Sequence, residues 1–122
     1  MNYLANRPKT IVCDIDGTLV KHDAPIYTSK PNYTMKLLPG TLEKISEWDK
    51  QGYNIILLTG RKESLRKQTE RQLSEVGIFY DQLVMGVGGG PRYLINDIKP
   101  DGENTAFSFN LIRNKGISDL EL

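Results

Sequence analysis

Two short apolar runs rich in β-branched residues, Thr10–Ile15 and Asn54–Thr59, fix the kind of sheet this chain can form. Each is nearly continuous rather than alternating, the pattern of a strand covered on both faces in a parallel sheet. Parallel neighbours need a crossover of about a dozen residues or more, and the segment between the runs supplies one. Leu42, Ile45 and Trp48 recur there at helical spacing among Glu43, Lys44, Glu47, Asp49 and Lys50, with Pro39-Gly40 opening the stretch and Gly52 closing it. A second helix follows, with Leu65, Thr69, Leu73 and Val76 on one face, Lys62 to Gln72 supplying a polar side, and Gly77 as its C-terminal left-handed residue. Leu83–Met85 reads as a third strand, Tyr93–Ile95 as a fourth, and the alternation of Phe107, Phe109 and Leu111 as a fifth. The expected order is β-α-β-α-β-β-β. Only Gly86–Pro91 separates the third run from the fourth, so either the third is stubby or those two run antiparallel.

A chain of 122 residues has room for one core, so residues 1–122 are expected to form a single domain. Sixteen basic against 15 acidic side chains leave a net charge of +1, which argues against a nucleic-acid partner. The single cysteine, Cys13, rules out an intramolecular disulfide framework and fits a reducing, cytoplasmic setting. Met1–Thr10 has no apolar run of leader length, and nowhere do ~18 apolar residues follow one another, so no membrane contact is expected. Asn32-Tyr33-Thr34 spells a glycosylation acceptor, which without a secretion signal is a chance match. The one long irregular stretch, Lys21–Leu38, is of a length that in small domains usually serves function.

In open α/β sheets ligands gather beyond the carboxyl ends of the strands, so the residues ending each apolar run carry the information. They are Asp14 and Asp16, then Thr59-Gly60-Arg61, then Asn96-Asp97. Carboxylates at i and i+2 point to the same side and repel, and a fold keeps such a pair for a divalent cation, a proton transfer or both. Gly17, Thr18 and Gly60 follow directly and are expected to offer main-chain N–H groups to an anion. Acids for a metal beside bare amides for phosphate make a phosphoryl-transfer arrangement.

The run Ile11-Val-Cys-Asp14-Ile-Asp16-Gly17-Thr18-Leu19-Val20 closely resembles the first signature of the haloacid dehalogenase (HAD) superfamily, Asp-x-Asp-Gly-Thr-Leu after an apolar strand. Leu57-Leu-Thr59-Gly60-Arg61 resembles its second motif, and Leu94-Ile-Asn96-Asp97-Ile-Lys-Pro-Asp101 its acidic fourth, so the likeness runs from about residue 10 to 101. It implies a three-layer Rossmann-like α/β sandwich with a mostly parallel five-stranded sheet. It also implies an enzyme, a Mg²⁺-dependent phosphatase acting on a small phosphorylated metabolite such as a sugar or sugar-acid phosphate. Asp14 would take up the phosphoryl group as an aspartyl-phosphate, and Asp16 would serve as acid and then base. Thr59 would bind a phosphate oxygen, with Gly17, Thr18, Gly60 and Arg61 lining the substrate. Asp14, Asp16 through its main-chain carbonyl, and Asp97 would hold the Mg²⁺.

The third motif of the superfamily, normally a lysine, has no counterpart in Gly88-Gly89-Gly90-Pro91. Arg92 is the first candidate to replace it, Lys99 the second and Lys62 a distant third. Neither Lys21–Leu38 nor Lys62–Asp81 is long enough for a cap domain, so a capless enzyme is expected, its site closed by a flap or by the neighbouring subunit of a homo-oligomer. A phosphate- and metal-binding regulatory module without turnover stays open beside the enzyme. Cys13 is expected to be packing, facing away from Asp14, and His22, the sole histidine, a plain loop residue. The basic side chains of the second helix read as a solvated face, or as a means of steering an anionic substrate.

Overall fold

Residues 7–122 are described by a computed structural model; the start of the chain read above for a leader, residues 1–6, lies outside them. The first apolar run forms β1 (Thr10–Asp14) and the second β2 (Asn54–Leu58), joined by a short helical turn, α1 (Pro25–Thr28), and by α2 (Thr41–Lys50). A 3-10 turn at Glu63–Leu65 leads into α3 (Arg66–Glu75), and β3 (Gln82–Val84) follows. The sheet order is β1-β2-β3 with both pairings parallel, as the runs predict. The expected helical face of α2 is largely right: Ile45 and Trp48 are buried, while Leu42 is partly exposed. Gly77 takes φ +82° just after α3.

The register places Cys13 beside Leu57 and Leu57 beside Leu83, with Ile11 beside Ile55 one pleat earlier. These side chains share one face, and that face meets Ile45 and Trp48 of α2 and Leu73 of α3 in a single apolar core. Ile15, Leu19 and Val20 from the turn after β1 complete it, together with Ile117 from the far end of the chain. Ile117 is held there because its N–H donates to the Pro39 carbonyl and because Gly116, at φ +87°, lies so close to Pro39 that no Cβ fits.

Three expectations fail. The sheet has three strands among the described residues instead of five: Tyr93–Ile95 and Phe107–Leu111 form none. Their side chains are largely exposed, so the burial that would stabilise them as strands is missing. The chain between them makes its own local hairpin instead, with Ile98 bridged antiparallel to Asn104 and the Asn96 amide donating to Thr105 Oγ1 at 2.6 Å. The strands are also not covered on both faces. Val12, Ile56, Leu58 and Val84 share the second face by register, and none belongs to the core. The described residues therefore build two layers, not the three-layer sandwich.

Truncating Leu57, fully buried at the centre of the covered face, is expected to cost about 2–5 kcal/mol. Urea denaturation of Leu57→Ala against the parent chain measures it.

Candidate active site

β1 and β2 end side by side, Asp14 opposite Leu58, so the turns that follow them face each other. After β1 the chain closes on itself: Leu19 and Val20 donate to the Ile15 carbonyl and Gly17 N–H donates to the Val20 carbonyl at 2.7 Å. Gly17 sits at φ +89°, and a Cβ there would press on Arg113, so glycine is required by conformation and by space. Thr18 N–H donates to the Ile15 carbonyl at 3.2 Å. The Gly17 and Thr18 amides expected to face an anion are thus spent within the turn. Thr18 contributes its hydroxyl instead, 3.4 Å from Asp14 Oδ2.

Arg61, expected to line the substrate, forks onto Asp16, with Nε 3.1 Å from Oδ2 and Nη2 2.9 Å from Oδ1. Its side chain is only 8% exposed. The remaining Nη1 donates to Gln72 Oε1 at 2.6 Å, and Gln72 Nε2 donates to the Thr28 carbonyl at 3.0 Å. Gln72 is wholly buried, although the sequence placed it on the polar side of α3. Its signal was nevertheless present: 69, 72, 73 and 76 follow the i, i+3, i+4, i+7 arc of one helix face.

That arc also explains the basic side chains of α3. Gln68 donates to the Thr28 and Lys30 carbonyls and Arg71 Nη2 to the Pro31 carbonyl at 2.7 Å. Arg66 pairs with Glu63 and Glu70 and donates to the Leu83 carbonyl. Part of the helix surface read as solvated grips the 21–38 flap. Within that flap the Tyr33 hydroxyl donates to Asp23 Oδ2 at 2.5 Å. Burial, and then the Asp23 bond and charge, push the Tyr33 phenol up to about 12, while the same hydrogen bond lowers Asp23. Neither residue stood out in the sequence.

Thr59 is buried, its Oγ1 accepting the Arg61 N–H at 3.0 Å, which makes the turn out of β2. The glycine-rich stretch runs along this turn: Gly86 N–H donates to the Arg61 carbonyl, Val87 N–H to the Thr59 carbonyl, and Gly60 lies 3.3 Å, measured from where a Cβ would sit, from the Gly88 carbonyl. It ends by delivering Arg92, whose Nη1 lies 3.0 Å from Asp14 Oδ1. Of the three basic residues weighed for this place, Arg92 reaches the first carboxylate. Lys99 instead stands 4.0 Å from Asp97, within the hairpin beyond.

The structure thus brings together Asp14, Thr18 and Arg92 in one group and Asp16 and Arg61 in another, and it does not bring Asp97 to them. Among the described residues no three His, Cys, Asp or Glu side chains converge as metal ligands do. Cys13 lies on the covered face, away from Asp14, and burial pushes its thiol up to about 12. Asn114, unremarked in the sequence, closes the far side: its N–H donates to the Gly17 carbonyl and its Oδ1 accepts the His22 N–H, both at 2.8 Å.

Residues 11–93 match the family model described as PITM 1-3, LNS2 domain. The chain belongs to the LNS2-domain family. The LNS2 fold is that of HAD-like phosphatases, which agrees with the motif resemblance and with the parallel α/β sheet. Two solved structures of a Pnkp1/Rnl/Hen1 complex contain chains 32% and 33% identical over 73% and 77% of this one, with TM-scores of 0.56 and 0.55. This chain spans only 31% and 28% of theirs. A structural-genomics target from Vibrio cholerae is similar in fold, with a TM-score of 0.51 at 17% identity, over 87% of this chain and 84% of that one. No curated protein matches the chain. No helix in the LNS2 chain's described residues is long and apolar enough to cross a membrane.

Replacing Gln72 by leucine strands the Arg61 Nη1, at a cost of about 1–3 kcal/mol, and leaves the Thr28 carbonyl with Gln68 as its donor. Chemical denaturation of Gln72→Leu is expected to show the loss. The raised Tyr33 phenol contributes stability that is fully present below pH ~10 and is lost as the pH climbs through about 12. The Cys13 thiol acts in the same direction from about pH 9. In Tyr33→Phe the part of the alkaline loss due to Tyr33 disappears, as a pH series of thermal melts will show.

Proposed function

We propose that this chain is a phosphomonoester hydrolase in which Asp14 is the nucleophile and Arg92 the cation that accompanies it. The observation that carries the reading is the 3.0 Å contact between Arg92 and Asp14: a guanidinium delivered to the carboxylate where the motif's lysine is missing. An aspartate nucleophile meets a dianionic phosphoryl group, and a fixed cation between them offsets that repulsion. The family and its HAD-like fold support a phosphatase-type function.

The steps follow from the side chains. An Asp14 oxygen attacks phosphorus and the bond to the ester oxygen breaks; the departing alkoxide takes a proton from Asp16. Water then attacks the aspartyl-phosphate, Asp16 accepts its proton, and phosphate leaves with Asp14 restored. Arg61 holds both oxygens of Asp16 as a carboxylate, so Asp16 serves as the acid only after it leaves that fork and takes a proton from water. A small phosphorylated metabolite, of sugar or sugar-acid type, is the substrate class in keeping with the short flap.

Mg²⁺ is the cofactor that the resemblance implies, through Asp14, the Asp16 carbonyl and Asp97. The side chains as arranged do not fit it: Asp14 is paired with Arg92, Asp16 with Arg61, and Asp97 stands largely in solvent beside Lys99. A requirement for Mg²⁺ in the assay would mean that Asp97 travels to Asp14.

The same double pairing favours a second reading, a phosphate-binding module in which both carboxylates stay capped and turnover is lost. Hydrolysis of a generic aryl phosphate ester, with Mg²⁺ supplied and withheld, separates the two. The enzyme reading expects release of the aryl alcohol, abolished in Asp14→Asn and reduced about 10²–10³-fold in Arg92→Ala. Equal rates in Asp14→Asn and the parent chain reject it, and phosphate binding by calorimetry without turnover supports the module.

A further inference from the structure

Parallel sheets occur almost only with both faces covered, and this one has a bare face. Val12 is 49% exposed and Val84 is likewise open, and Ile56 and Leu58 beside them lie outside the core. Among the described residues the sheet also has a bare edge, because β1 pairs with β2 alone, and an unpaired strand edge is a template for another chain.

The chain carries the complementary feature elsewhere. Between Arg92 and Arg113 it leaves the sheet as an arm whose Tyr93, Leu94, Ile95, Phe107, Phe109 and Ile112 are mostly exposed, Ile95 by 91%. All but Ile112 fall in the two segments whose apolar pattern reads as strand. The arm is not a loose tail: Arg92 holds one root on Asp14, Asn114 holds the other on Gly17 and His22, and the Ile98–Asn104 bridge stiffens the tip.

We infer that the arm and the open face are two halves of one interface, filled by a second copy of this chain. Each copy offers an uncovered apolar sheet and an uncovered apolar arm, so two copies in reciprocal exchange satisfy both without any other partner, as a self-complementary two-fold contact requires. Tyr93, Phe107 and Phe109 are 87%, 68% and 52% exposed, so at ~150–250 Å² for a whole side chain they supply about half of the ~800 Å² per partner of a stable interface, and Leu94, Ile95 and Ile112 add to it.

The experiment is the solution mass of the full chain by sedimentation equilibrium from about 1 μM to 1 mM, and it does not depend on any activity. A mass of twice 13.8 kDa is expected for the parent chain. Ile95→Lys on the arm and Val12→Lys on the face are each expected to return it to the mass of one chain. Both side chains are exposed in the single chain, so circular dichroism is expected to stay as in the parent and to separate loss of pairing from loss of fold. A parent that stays single up to 1 mM overturns the inference, whether its arm folds back on its own sheet or awaits a different protein. So does a dimer that survives either substitution.

Discussion

The fork between Arg61 and Asp16 ties the end of β2 to the turn after β1, and the remaining features of the site are arranged around it. It draws in Gln72 from α3, and through Gln72 the Thr28 carbonyl of the flap, so two strand ends, a helix and a loop meet at one guanidinium. A largely buried ion pair is a weak source of net stability, because desolvation offsets most of the attraction. What it supplies is geometry. Five planar donors on Arg61 admit few arrangements of their acceptors, and two donors satisfied by Asp16 leave a third aimed at Gln72.

Asp14 stands in a different environment. It is half-exposed, it holds Arg92 with one oxygen and has the Thr18 hydroxyl near the other, and both partners come from loops. The two carboxylates that sit two residues apart in sequence are therefore unlike in their surroundings: Asp16 is held at both oxygens by a buried guanidinium, and Asp14 is the more exposed of the two.

The part of the fold legible in the sequence was the part set by local pattern. The continuous runs around Val12 and Ile56 gave parallel strands, the spacing of Ile45 and Trp48 gave α2, and Gly77 marked the end of α3. Tyr93–Ile95 and Phe107–Leu111 misled because apolar alternation reports a capacity to pair, and neither run is seated on a strand edge in the described residues. The first signature located Asp14 and Asp16, and the missing lysine directed attention to Arg92, which the structure places on Asp14. Gly17, Thr18 and Arg61 are expected to meet an anion, and in the chain alone they are otherwise engaged, because a tight turn uses its own N–H groups and an arginine beside a carboxylate binds it. Gln72, Tyr33 and Asn114 escaped notice because their partners lie far away in sequence.

The hairpin beyond Asn96 and Thr105 closes on itself, with Lys99 N–H donating to the Glu103 carbonyl, Gly102 N–H to the Lys99 carbonyl, and the Thr105 hydroxyl to the Asp97 carbonyl. Both roots of the arm that carries it are clamped before the tip begins. The tip can therefore be lengthened, shortened or grafted at the modest entropic cost of a longer loop, with the two clamped roots kept while the surface shown to the outside changes.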